Sequence, residues 1–271
     1  MLSALTLSAL LVFSVSARRI TPGSVVALRL SNGGSELRQN HGNAVYLDEV
    51  TTDGSKLQSI AGPASCTIGA APRLTYVYEG HLQRSVDRRL DAYTCFDAAA
   101  GTPIKDASRQ IVTIDPDGAL APPVASSLSG GVSFAALRVS SSATSGYYHG
   151  ATSPNGIYYT PAGGGSSVLL TSQYDVTAIV VFQGSLCKEA LERQGRPPRS
   201  HAPSLPRHAD FASPSAGNGV YLAGSAGSLP TGPVGAPVQV TGPYNNHEWT
   251  TSFAFESRTK IWTTDEGYDV G

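Results

Sequence analysis

The chain has 271 residues, 20 acidic against 19 basic side chains, a net charge of −1 and only 14% charged residues. A balance this close to neutral, with no basic face in its distribution, excludes the electrostatic footprint of a nucleic-acid binder. The length suffices for one large domain with a real core, and 29 Gly and 18 Pro among abundant Ser, Thr and Ala favour strands and turns over helices.

The first segment, Leu2 to Val15, is apolar and uncharged, and the small residues Val15-Ser16-Ala17 precede Arg18-Arg19. At about fourteen residues it is shorter than the roughly 20 that a membrane-spanning helix needs. It reads as an export signal over residues 1–17, although its start lacks the usual Lys or Arg. The expected product is secreted, with no transmembrane segment in the mature chain.

Strand signals follow. Ser24 to Leu30 alternates as a half-buried strand would, and Ala44 to Val50 follows as a second strand after a Gly/Asn-rich loop. Val45 to Val50 runs into Asp53-Gly54 and then Leu57 to Ile60. The same shape returns around Asp87-Arg88, Asp115-Pro116-Asp117-Gly118, Asn155-Gly156, Asn218-Gly219 and Ser257-Arg258. Asp-Gly and Asn-Gly pairs fit because the central residues of tight hairpin turns favour positive φ. Cys187 to Arg193 is the one helix-favouring stretch, too short to bury a face alone. Residues 188–214 lack β-branched residues and are rich in Arg, Pro, Ser and His, the composition of a disordered insertion. The expected organisation is therefore a signal at 1–17, strand-rich units at 18–187, the insertion at 188–214 and further strand-rich units at 215–271.

The turns recur at intervals of about 30 to 39 residues, apart from one longer gap spanning the insertion, against roughly 40 to 50 for a propeller blade. The phrase Phe253-Ala-Phe-Glu-Ser-Arg-Thr-Lys-Ile-Trp-Thr-Thr-Asp265 resembles inner strands of secreted β-propellers. The wider pattern, including Ala44 to Val50 and Val181 to Leu186, is similar to a group of uncharacterised exported propeller-like proteins. That resemblance implies an all-β, β-propeller-like fold of antiparallel blades and no particular activity, since propellers host enzymes and binding platforms alike. With five or six turn units the ring is expected to be incomplete. A β-sandwich is the alternative, because it also spaces short strands by turns.

Three cysteines leave an odd count. Cys66 and Cys95 flank a strand-like segment and are the expected disulfide in an oxidising compartment, leaving Cys187 free. No Cys-x-x-Cys pair, and hence no thiolate zinc site, is present.

No motif identifies a reaction. Asp48-Glu49 and Asp265-Glu266 are adjacent carboxylates, but neighbours on a strand face opposite ways and cannot flank one glycosidic bond. His247-Glu248 has Thr251 where a zinc helix needs its second His. Asp115-Pro-Asp117-Gly118 lacks the remaining ligands of a calcium loop. Gly131-Val-Ser133-Phe-Ala135 opens no helix as a nucleophile elbow would, and Gly163-Gly-Gly-Ser-Ser167 lacks the Lys of a phosphate loop. No catalytic residue, metal ligand or cofactor is therefore expected. In Tyr147-Tyr148 and Tyr158-Tyr159 alternation turns one ring of each pair outward, which makes Tyr148 and Tyr159 the candidate ligand contacts; cross-strand aromatic packing is the competing role. The expected function is extracellular, non-catalytic binding of a protein or carbohydrate partner. A propeller hydrolase or lactonase-like enzyme, drawing on Asp48, Glu49, Asp87, Asp115, His149, Asp265 and Glu266, is the alternative, and a truncated fragment without independent function is the third reading.

Overall fold

The computed structural model describes residues 18–31, 37, 40–69, 81–129, 133–138, 142, 145–152, 155–172, 175–182, 185–191, 219–236, 238–239, 249–257 and 260–266. The signal segment 1–17 and residues 192–214 of the expected insertion lie outside the described residues, as do His247 and Glu248. Among the described residues every regular element is a strand, and every strand pairing is antiparallel.

The first sheet has eight strands: β1 (Val25–Ser31), β2 (Gly42–Val50), β3 (Lys56–Ala61), β4 (Cys66–Gly69), β5 (Gln83–Arg84), β6 (Asp91–Asp97), β7 (Ser108–Ile114) and β8 (Val124–Ser129). Their order is β1-β2-β4-β6-β7-β8, with β3 also on β2 and β5 on β6. The second sheet has the order β12-β11-β10-β9, from β9 (Ser133–Arg138), β10 (Tyr147–Thr152), β11 (Asn155–Thr160) and β12 (Val168–Thr171). The third runs β13 (Asp175–Phe182), β14 (Ser185–Leu191), β15 (Gly219–Ala223) and β16 (Val238–Gln239) in chain order. The last is the hairpin β17 (Trp249–Ser257) and β18 (Lys260–Glu266).

The sheets pack in chain order. Strand β9 lies against β5, β6 and β7, β13 against β9, β10 and β11, and β17 against β13 and β14. The second sheet is thus covered on both faces. Alternation along β10 sends Tyr147 into the cluster with Ala92 and Ile111 of the first sheet. Its neighbour Tyr148 enters the cluster of Ile157, Leu170, Ile179, Leu186 and Ala223, which joins the second and third sheets. The largest cluster sits under β2, β4, β6 and β7 around Val45, Leu47, Ile68, Tyr93 and Val112. It contains the Cys66–Cys95 disulfide, whose Cα atoms are 5.4 Å apart.

The helix-favouring residues after Cys187 are in a strand instead. β14 continues through Lys188 to Leu191, pairing with β13 on one side and β15 on the other, and two ladders of backbone hydrogen bonds outweigh a weak local propensity.

Three hairpin turns follow one backbone course. The N–H groups of Gly54, Arg88 and Gly118 donate to the carbonyls of Thr51, Ser85 and Asp115. The donor residue is left-handed each time, with φ of 89°, 59° and 79°. Glycine suits that conformation, whereas a side chain costs roughly 1–2 kcal/mol there.

Candidate functional site

Asp48, Glu49, Asp87, Asp91 and Asp115 are each engaged locally. Asp48 and Glu49 face opposite sides of β2. Asp48 accepts Arg29 Nε at 2.6 Å and Lys56 Nζ at 3.3 Å, together with the Ser59 hydroxyl. The Arg29 hydrogen bond holds its carboxyl far below the usual range. Glu49 is 2% exposed and accepts the Thr21 N–H at 2.6 Å, Ser24 Oγ at 2.7 Å and Gln58 Nε2 at 2.7 Å. Burial pushes its pKa up, but the bonds from Ser24, Thr21 and Gln58 prevail and bring it to about 2. Asp91 is held by Arg84, Asp87 accepts the Ser85 hydroxyl, and Asp115 accepts the N–H groups of Asp117 and Ala119 within its own turn. Asp265 and Glu266 lie in β18 in register with Thr250 and Trp249. Among the described residues no three His, Cys, Asp or Glu side chains converge as metal ligands would.

His149 on β10 lies in the protein interior, 1% exposed. Its ring stacks on Tyr158 with centroids 5.7 Å apart and an angle of 19° between planes. Nε2 shares a 2.9 Å hydrogen bond with Thr160 Oγ1, which meets Ser167 Oγ at 2.7 Å, and that hydroxyl reaches Ser126 Oγ at 3.0 Å. Superficially this chain resembles a serine nucleophile with its base. Three features remove the chemistry: Thr160 stands between His149 and Ser167, no carboxylate among the described residues hydrogen-bonds to the ring, and burial followed by the nearby Arg109 lowers the pKa to about 3. A general base works best with a pKa near the operating pH, so this imidazole stays neutral and weakly basic.

The hydroxyl chain instead forms a seam. The Ser127 N–H donates to Ser167 Oγ at 3.3 Å and the Ser167 N–H to Ser127 Oγ at 2.8 Å, beside a parallel bridge between Ser126 and Gly165. These bonds join β8 of the first sheet to the loop that precedes β12.

An open groove of about 810 Å³ lies beside the Ser126–Gly165 bridge, with Ala125 and Gly165 in its lining. One wall is the segment Ala119 to Ala125, the other the loop Ala162 to Gly165, and Tyr147 lies between them. Gly164 and Gly165 have φ of 79° and 105°, which lets the loop turn back over β8. A Cβ built on Gly164 would come within 3.4 Å of the Ala125 carbonyl. Gly163, Gly164 and Gly165 leave backbone accessible on one wall, while Leu120, Pro122, Pro123 and Val124 give the other an apolar surface.

The two tyrosines expected to contact ligand do not face this groove. Tyr148 is 1% exposed, a correction to the expected outward ring, because the third sheet covers that face of β10. Its hydroxyl donates to the Pro230 carbonyl at 2.9 Å, and its ring meets Tyr159 at 5.5 Å. Tyr159 is half-buried and packs against the same cluster. Sequence reading also passed over Ala119 to Ala125 and Ala162 to Gly165 as groove walls; the Gly163-Gly164-Gly165 run was their only visible signal.

No family model matches the chain, and neither a curated protein nor a solved structure does.

Proposed function

We propose that this chain is an extracellular, propeller-like binding protein that holds an extended protein segment in the groove between Ala119–Ala125 and Ala162–Gly165. The observation carrying this reading is the groove itself, open and about 810 Å³, with an apolar wall at Leu120, Pro122, Pro123 and Val124 facing a wall of glycines. Extended chains present alternating side chains and backbone, which suit the apolar wall and the glycine wall respectively. A hydrolase needs acid and base groups brought together, whereas Asp48, Glu49, Asp91 and Asp115 each serve a separate local contact. A stacking platform for sugar has little support in Tyr148, which is buried.

The radial arrangement draws on the packing of sheets in chain order and on the four-strand width of the second and third. The Tyr158-Tyr159 and Ile261-Trp262 phrases belong to β11 and β18, in different sheets, with the third sheet packed on both of those sheets. The first sheet, eight strands wide, departs from a blade pattern. The buried Cys66–Cys95 bridge favours an oxidising compartment.

Selection of a displayed peptide library on the full chain, run beside a glycan array, tests the binding reading. Peptides recovered on the native protein should lose about tenfold or more in affinity for Ala162→Arg, which adds a large cation to the groove wall. Recovery of glycans alone, or of peptides indifferent to Ala162→Arg, overturns it.

A further inference from the structure

A second cleft, of about 340 Å³, opens between the β5–β6 turn and β13. Gln83, Arg84 and Arg88 line one side, and Val180 and Val181 line the other. It shares no lining residue with the groove.

Arg88 is the feature that needs explaining. Its two equivalent turns place glycine at the left-handed position, and this one keeps an arginine at φ 59°. Residues held in such conformations concentrate where a side chain has work to do at a site. Here the side chain lines a cleft, and Arg88 forms no ion pair among the described residues. Arg84 is bound side-on by Asp91, through Nε at 3.0 Å and Nη2 at 3.2 Å, which leaves its Nη1 donors unengaged. Asp87 is turned toward the Ser85 hydroxyl and the Arg89 N–H. The cleft therefore combines the exposed Arg88 guanidinium, the spare donors of Arg84, and apolar lining from Val86 and Val180. Val181, next along β13, turns its side chain into the cluster between the second and third sheets.

We propose that this cleft binds a small organic anion, a carboxylate or sulfate ester carrying an apolar body. Arg88 and Arg84 take the charged head by charge-assisted hydrogen bonds, and Val86 and Val180 cover the body.

Calorimetric titration of the full chain with phenyl sulfate tests this, with phenol, inorganic sulfate and an Arg89→Ala variant as controls. Arg88→Gly is the decisive variant, because glycine accepts the left-handed backbone and the turn stays folded. The expected result is saturable binding of phenyl sulfate, at least about tenfold weaker for phenol and for Arg88→Gly, and unchanged for Arg89→Ala. No saturable binding by the native chain overturns the proposal, as does equal affinity for phenol, equal affinity in Arg88→Gly, or a loss in Arg89→Ala as large as that in Arg88→Gly. Inorganic sulfate binding as tightly as phenyl sulfate means an adventitious ion only, and overturns it too.

Discussion

Replacing His149 by glutamine should flatten the mildly acidic limb of the stability profile. In the folded chain burial, and then Arg109, hold the imidazole pKa near 3, against 6.5 for the free side chain. The unfolded chain therefore binds the extra proton first, and stability falls as pH drops below about 6.5. The loss grows by about 1.4 kcal/mol per pH unit and levels off only near the folded value, at a total of about 4 to 5 kcal/mol. Between roughly pH 7 and pH 5.5 it amounts to about 1 kcal/mol. That window lies above the range where the carboxyls of Asp48 and Glu49, both lowered in the fold, begin to add their own acid loss. His81, also lowered by burial, contributes with the same sign, so the quantity to compare is the difference between native and variant. Glutamine keeps a polar partner for Thr160 and has no ring to protonate. Urea midpoints at several pH values across the window give the two slopes. Parallel slopes for native and His149→Gln refute the reasoning.

Converting both Cys66 and Cys95 to alanine should lower stability by about 3 to 4 kcal/mol from loop-closure entropy alone, read as a fall in urea midpoint that dithiothreitol reproduces in the native chain. Arg88→Gly should raise thermal stability by about 0.5 to 1 kcal/mol by relieving the left-handed backbone, measured as an upward shift in Tm. Gly42→Ala should cost about 1 to 3 kcal/mol, since its Cβ would lie 2.7 Å from Thr67 Cβ; an unchanged denaturation midpoint would contradict that packing.

Local features of the fold were legible because their physics is local. The Asp53-Gly54 and Asp117-Gly118 turns occur where short polar signals separate alternating strands, with Gly54 and Gly118 in the left-handed region. Ala44 to Val50 is rich in strand-favouring residues and forms most of β2. The site was much less legible, since its burial depends on which sheet covers which face. Nothing near Tyr147-Tyr148 announces that sheets approach β10 from both sides, so a ring expected to face outward is closed over. Lys188 to Leu191 lacks strand character by composition, and its state is decided by pairing with β13, its hairpin neighbour, and with β15, which begins only at Gly219. The groove was hidden for a related reason: Ala119 to Ala125 and Ala162 to Gly165 are individually featureless and matter only as facing walls.

The chain-order packing of the sheets also bears on biogenesis. Each sheet docks mainly on the one synthesised before it, so the first can condense early and serve as a template for the next. Growth by successive layers keeps loop-closure entropy low at every step. The β17–β18 hairpin, a pair of strands resting on β13 and β14, has the least support among the four described sheets and is expected to fray before the others. Hydrogen exchange should accordingly slow from the last sheet toward the first, a gradient running against the direction of synthesis.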